Sequence, residues 1–187
     1  ILNNFKPKKI LMFEPQEEIF NFLKKKYSGN KDIYLFNKAL SNENKPAKFN
    51  FNKHNLTSSL SSLDPDNSYL KLKAKLFGTT SKGMIIDTKT IQTTTLYSIL
   101  EEENMESIDF LKIDTEGHEL EVLQGMKEKI NKVKRILVEF HIDEIYISYN
   151  PEFLHKFLIS NNFEFVKKFK FPFTTWEDRL YVNKSIN

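Results

Sequence analysis

The 187-residue chain contains no cysteine, which excludes both a disulfide framework and a thiolate metal site. Glycine is scarce: the five stand at positions 29, 78, 83, 117 and 125, and none forms a G-x-G turn. A glycine-rich phosphate- or dinucleotide-binding loop is therefore missing from this sequence. No apolar run approaches the roughly 18 residues that a membrane span needs, no secretory leader pattern is read at the start, and no internal repeat is visible. Strong charge of one sign is lacking too, since 28 Lys and Arg against 25 Asp and Glu leave a net charge of +3. Lysine runs such as Lys24, Lys25 and Lys26 read as solvated faces, without the interleaved aromatics of a nucleic-acid groove. These absences lead to the expectation of a soluble cytoplasmic domain with neither a nucleic-acid partner nor a transmembrane segment.

What is present suits one domain with a real core: 22.1 kDa, 40% hydrophobic and 28% charged residues, 17 of them Phe. The most informative stretch is Ile108 to Met126, IDFLKIDTEGHELEVLQGM. An apolar run stops at Asp114 and a helix pattern begins, with Glu116 and Glu119 in its first turn and Lys127, Lys129 and Lys132 near its end. Open α/β sheets place ligands outside the carboxyl ends of their strands, so a carboxylate at 114 is placed for chemistry.

Further strands are expected at Lys9–Phe13, Ile33–Leu40, Lys134–Phe140, Phe163–Phe169 and Arg179–Val182, and helices at Gln16–Tyr27, near Leu96–Leu100 and at Pro151–Ser160. Residues 45–95 read as an insertion of small antiparallel strands, a lid over the working edge of the sheet. The order predicts a single α/β domain over 1–187: a doubly wound sheet, mostly parallel, closed by a C-terminal antiparallel hairpin.

Glu14 ends the first strand and precedes a helix. It suits either the ribose hydroxyls of a nucleoside cofactor or the plain role of a helix N-terminal acid. Asp114 ends one strand, while Glu139 and His141 end another. Neighbouring strands lie about 4.8 Å apart, so these three can meet. Together they suit a general base with its orienter or a divalent cation; the plainer reading has Asp114 cap a helix and Glu139 pair with a lysine. His54 and His155 are expected to face water, and His118, in the first helical turn, to face water or else to line the cleft.

These residues resemble the FkbM-type methyltransferases, which use S-adenosyl-L-methionine. Met12-Phe13-Glu14-Pro15 is similar to the family's F-E-P segment, Lys38-Ala39-Leu40-Ser41 to its A-L-[GS] turn, and Asn55 to Leu60 to its Ser-rich loop. Thr93 to Leu100 with Ile108 to Gly125 resembles its T-T-L-D-S-L and I-D-F-L-K-I-D-x-E-G-x-E-x-x-V-L-x-G core, and Val138 to His141 its V-E-F-H strand. Tyr97 departs from that pattern, which has Asp there.

The resemblance implies a Rossmann-like class I methyltransferase fold. Its central first strand, with a V-D-x-G-A-N-x-G loop, has no counterpart here, so roughly 40 to 80 upstream residues are expected to be missing. It further implies an O-methyltransferase acting on a hydroxyl of a small molecule or glycan. Glu14 and Phe13 would serve the cofactor's ribose, and Ala39, Leu40 and Ser41 its adenine. Asp114 would stand at the methyl-transfer point with Glu139 beside it and His141 as base. Ser58, Ser59 and the Phe171–Trp176 loop would wall the acceptor, the loop reading also as a buried hairpin end or an oligomer contact. Two rivals stand beside this: a non-catalytic binding domain on the same scaffold, and a metal-dependent enzyme using Asp114, Glu139 and His141.

Overall fold

A computed structural model describes residues 6–52, 58–170, 172 and 174–186. His54 and the Asn55–Thr57 part of the Ser-rich loop lie outside the described residues, as do Phe171 and Phe173 of the aromatic loop.

Nine strands and five α-helices are arranged as an α/β fold with mixed sheets among the described residues. Strand β1 (Ile10–Phe13) leads into helix α1 (Glu17–Lys26) and returns as β2 (Ile33–Phe36), which pairs with β1 in parallel. The strand expected over 33–40 is in fact two. At Asn37 the side chain donates to the carbonyls of Glu14 (2.9 Å) and Pro15 (3.1 Å). The chain turns there, and β3 (Ala39–Leu40) pairs in parallel with β5 (Ile85–Thr94), a different sheet. Strand β4 (Pro46–Asn52) completes that sheet antiparallel to β5, in the order β3-β5-β4.

The largest sheet, β6-β7-β9-β8, comprises β6 (Leu111–Ile113), β7 (Arg135–His141), β8 (Phe163–Phe169) and β9 (Trp176–Asn183). Strands β6 and β7 are parallel, and β9 runs antiparallel to both β7 and β8, the expected closing hairpin. One continuous doubly wound sheet is not observed: β1-β2 shares no described ladder with the other two sheets. Leu11 and Phe13 nevertheless pack on the main core around Leu123, Met126, Val138 and Phe140, and Lys9 pairs with Glu103 at 2.6 Å. Side-chain burial brings the two parts together where backbone pairing does not.

Two helices differ from expectation. The 45–95 insertion contains helix α2 (Ser68–Leu76), capped by the Asn67 side chain accepting from Leu70 N and burying Leu70 and Ala74 one turn apart. It packs with Leu63, Met84, Ile145 and Tyr146 in a second apolar cluster. The helix expected to run through Ile130 breaks in two, as α4 (Glu119–Gln124) and a 3-10 segment over Lys127–Lys132. Gly125 lies between them, and Lys127 adopts a φ of 49°. Helices α3 (Leu96–Glu102), capped by Thr95, and α5 (Pro151–Ser160), with Asn150 as cap and Pro at its start, complete the fold. No described helix is long and apolar enough to cross a membrane.

Candidate active site

The site grows from the loop between β6 and α4. Asp114 follows the last β6 residue, and the chain then enters the left-handed region twice, with φ of 55° at Glu116 and 88° at Gly117. A side chain is disfavoured in that region, so such a bend persists only when its surroundings over-determine it. Here Glu119 does so. Its Oε1 accepts from Thr115 N (2.9 Å), Thr115 Oγ1 (3.1 Å) and Gly117 N (3.1 Å). Glu119 is fully buried, and burial pushes its carboxyl up to about 7 despite those donors. Glu119 stands in the first helical turn as expected, and there its buried side chain holds the bend. Glu116, expected in the same turn, lies before the helix with its side chain turned into the protein.

The bend delivers Glu116 to the carboxyl end of β7. Glu116 Oε2 accepts from Tyr146 Oη at 2.5 Å and lies 3.9 Å from His141 Nε2. Nε2 in turn stands 3.0 Å from Glu139 Oε2. The charge of Asp114, at the end of β6, acts on Glu139 from nearby. Glu139 and His141 are thus brought together at the end of β7, with Asp114 outside the contact and Glu116 as a member the sequence reasoning missed. Its signal was present in the E-G pair straight after a strand end.

Burial pushes the Glu116 carboxyl up to about 7, and it raises the Glu139 carboxyl as well, helped by the nearby Asp114 charge. Lys112 offsets part of this acidity, lying 2.5 Å from Asp178 and 3.4 Å from Asp114. The His141 ring sits edge-on to Tyr146 and Tyr149 at 4.8 and 5.5 Å, and Tyr149 Oη accepts from His141 N at 3.1 Å.

The insertion closes over this group. Ser59 Oγ lies 3.0 Å from the Thr115 carbonyl and 2.7 Å from that of Glu116, while Ser61 Oγ donates to the Gly117 carbonyl at 2.6 Å. Ser59 is buried and engaged with the bend, whereas Ser58 is half-buried and accepts from Asn52 N. Trp176 belongs to β9, opposite His141 in the ladder, and not to a loop.

The other expected half-site assembles around Ser41. The Ala39–Ser41 turn is anchored by Ser41 N donating to the Thr94 carbonyl at 2.9 Å. Ser41 Oγ lies 3.0 Å from His118 Nε2. His118 does not face water; burial drives its ring down to about 4, so its 3.7 Å contact with Glu121 is no ion pair near neutrality. His155 is also engaged, with Nδ1 2.8 Å from Tyr181 Oη. Gly125 is required because an added Cβ would stand 2.1 Å from the Ser41 carbonyl oxygen.

Ala39, Pro15, Asn37, Thr93 and Thr94 line a cavity of about 530 Å³, within the usual range for small-molecule sites. Glu14 lies at the end of β1, next to Pro15; its carboxylate accepts from Gln16 N at 2.7 Å, and burial raises its pKa. Glu14 thus makes the helix-entry contact expected of the plainer reading. Phe13 stacks on Phe36 with ring centroids 5.0 Å apart, and Leu40 packs against the main core.

The fold is thus of the α/β class with mixed sheets, with an acid–histidine group at a strand end and a cavity beside the Ala39 turn. The Methyltransferase FkbM domain matches residues 3–165, and the chain belongs to that family. Its fold is similar to the crystal structure of a methyltransferase FkbM from Methylobacillus flagellatus KT, with a TM-score of 0.54 and 13% identity. The match covers 94% of this chain and 36% of that one, so this chain spans about a third of its neighbour's length. At that identity the likeness speaks for the fold alone. No curated protein matches the sequence.

Proposed function

We propose that this chain carries an S-adenosyl-L-methionine-dependent O-methyltransferase site acting on a hydroxyl of a small molecule or glycan. The observation that carries the reading is the meeting of Glu116, Glu139 and His141 at the end of β7, with the Asp114 charge nearby, within a chain of a methyltransferase family.

When bound, the donor supplies an electrophilic sulfonium methyl. Glu14 and Phe13 would hold its ribose side and Ala39, Leu40 and Ser41 its adenine side. The cavity bordered by Ala39 and Pro15 supports that placement, being of a size for a nucleoside. Asp114 is assigned to the transfer point. The His141 imidazole is assigned as the base for the acceptor's hydroxyl proton, with the Glu139 carboxyl, 3.0 Å from Nε2, orienting the ring. In-line positioning of the hydroxyl supplies most of the acceleration.

Ser58 and Trp176 are assigned to the acceptor wall, and Ser59 fixes that wall through its contacts with the 115–116 carbonyls. Residues 45–95 act as the lid, and the protein works in the cytoplasm.

Calorimetric titration of S-adenosyl-L-methionine into the chain tests the donor. Glu14→Ala should weaken binding, and an unaltered dissociation constant rejects its ribose role. His141→Ala should abolish most turnover while leaving donor affinity intact; unchanged turnover rejects the base. An absence of heat and of thermal shift favours a non-catalytic domain.

A further inference from the structure

Among the described residues Glu116, Glu139 and His141 form a group whose nearest ligand atoms all lie within 4.8 Å of one another. Two of those atoms are anomalous. His141 Nε2 and Glu139 Oε2 are buried and without a hydrogen-bond partner, yet they face each other at 3.0 Å. Both side chains are more than nine-tenths buried, at 5% and 8% exposure. Buried polar atoms are nearly always satisfied, and an exception calls for a water, an ion or a chemical role.

The 3.0 Å separation of the imidazole and the Glu139 oxygen is the length of an ion pair, and equally that of two ligands set at right angles roughly 2.1 Å from one cation. The third ligand is also supported: Tyr146 Oη donates to Glu116 Oε2, fixing the carboxylate as ligating carboxylates are commonly fixed.

We propose that Glu116, Glu139 and His141 bind a divalent transition cation, with two carboxylate oxygens and Nε2 as its protein ligands. One imidazole with two carboxylates selects Zn²⁺ or Mn²⁺ over the all-oxygen preference of Mg²⁺ and Ca²⁺. Asp114 is not in the group, which differs from the ligand set expected from sequence. Ser59 and Ser61 close the site from the insertion side through the Glu116 and Gly117 carbonyls. Binding itself does not depend on the methyl-transfer reading. Only its consequence rests on that reading: with a cation at Nε2 the ring is not a free base, and a hydroxyl meeting the cation is acidified by it instead.

The test uses the full chain, stripped of metal by chelator and dialysis, with Zn²⁺, Mn²⁺ and Mg²⁺ titrated separately by calorimetry. The expected result is one site for Zn²⁺ or Mn²⁺, accompanied by a rise in melting temperature and absent with Mg²⁺. Glu116→Gln keeps the side chain's shape and should weaken binding at least about tenfold, and Tyr146→Phe by about 10–100-fold. His155→Ala, remote from the group, should leave binding unchanged. Absence of a Zn²⁺ or Mn²⁺ site, equal Mg²⁺ binding, or binding indifferent to Glu116→Gln and Tyr146→Phe overturns the proposal. If His141→Ala fails to fold, the glutamate and tyrosine variants decide alone. Donor titration in the same samples separates the two readings: donor heat without a cation site sinks only the cation, and a cation site without donor heat sinks only the donor.

Discussion

Gly117→Ala isolates the physics of the bend that builds the site. Two costs add at that position. An L-residue in the left-handed region costs about 1–2 kcal/mol, and φ there is 88°. An added methyl would also stand 2.5 Å from Tyr146 Cγ and 2.6 Å from Cδ2, far inside van der Waals contact, and overpacking of this kind costs typically about 1–3 kcal/mol. The total is about 2–5 kcal/mol, a large share of the roughly 5–15 kcal/mol that holds a domain together.

Gly78 provides the control. Its φ is 65°, but a Cβ there would meet nothing within 4 Å, so Gly78→Ala carries only the backbone part, about 1–2 kcal/mol. Gly29, with nothing within 4 Å and no left-handed φ, should tolerate Ala with little change. Urea unfolding followed by circular dichroism measures all three, and the difference between the first two is the Tyr146 contact. Were Gly117→Ala no more destabilising than Gly78→Ala, the claim that the Tyr146 ring is seated against the bend would be refuted.

Gly125→Ala should destabilise by about 1–3 kcal/mol, because the Ser41 carbonyl it meets is backbone and cannot rotate away; if S-adenosyl-L-methionine binds as proposed, its affinity should fall too, and calorimetry reads both. His118 is depressed in the fold to about 4 from the ordinary 6.5, so the unfolded chain binds its proton first. Above pH 6.5 the ring contributes nothing to the pH dependence, and stability is lost as pH falls from 6.5 toward 4, by up to about 3 kcal/mol. Against His118→Gln, the wild-type protein should lose ground over that window in urea melts, and parallel curves would contradict a buried neutral ring. Asn150→Ala removes a side chain accepting from Glu152 N and Phe153 N, and should lower stability by about 1 kcal/mol in the same melts.

Element types were legible where period and punctuation agreed. Pro151–Ser160 and Phe163–Phe169 fall where apolar spacing puts them, and β7 carries Glu139 and His141 to a strand end as expected. The failures share a cause: tertiary contacts decided them. Nothing local in IYLFNKAL separates β2 from β3; the division comes from Asn37 reaching back to the Glu14 and Pro15 carbonyls, over 20 positions away in sequence. Helix α2 had a readable cap in Asn67 and a readable Leu70–Ala74 pair, but both sat in a Ser- and Lys-rich stretch that resembled loop. His118 looked like a solvated first-turn residue because its environment is made by Ser41, far away in sequence. Glu116 was read only as an acid of the first helical turn, whereas the left-handed φ at 116 places it ahead of the helix and beside His141.

The same left-handed bend explains why this motif spends glycine and acid as it does. Glu116 can enter the site only if the chain reverses hand at 116 and 117, and residue 117 can do so beside Tyr146 only without a Cβ. The reversal strands backbone N–H groups at Thr115 and Gly117, and Glu119 is the acceptor that gathers them. The freed carbonyls at 115, 116 and 117 are then met by Ser59 and Ser61 from the insertion. From the two ends of α4, His118 and Gly125 add side-chain and close backbone contacts to the Ser41 turn. Residues 114–125 are therefore a single mechanical unit: one end presents acids to His141, the other seats the turn beside the cavity. The E-G-x-E spacing and the following glycine are the least the chain needs to connect the two.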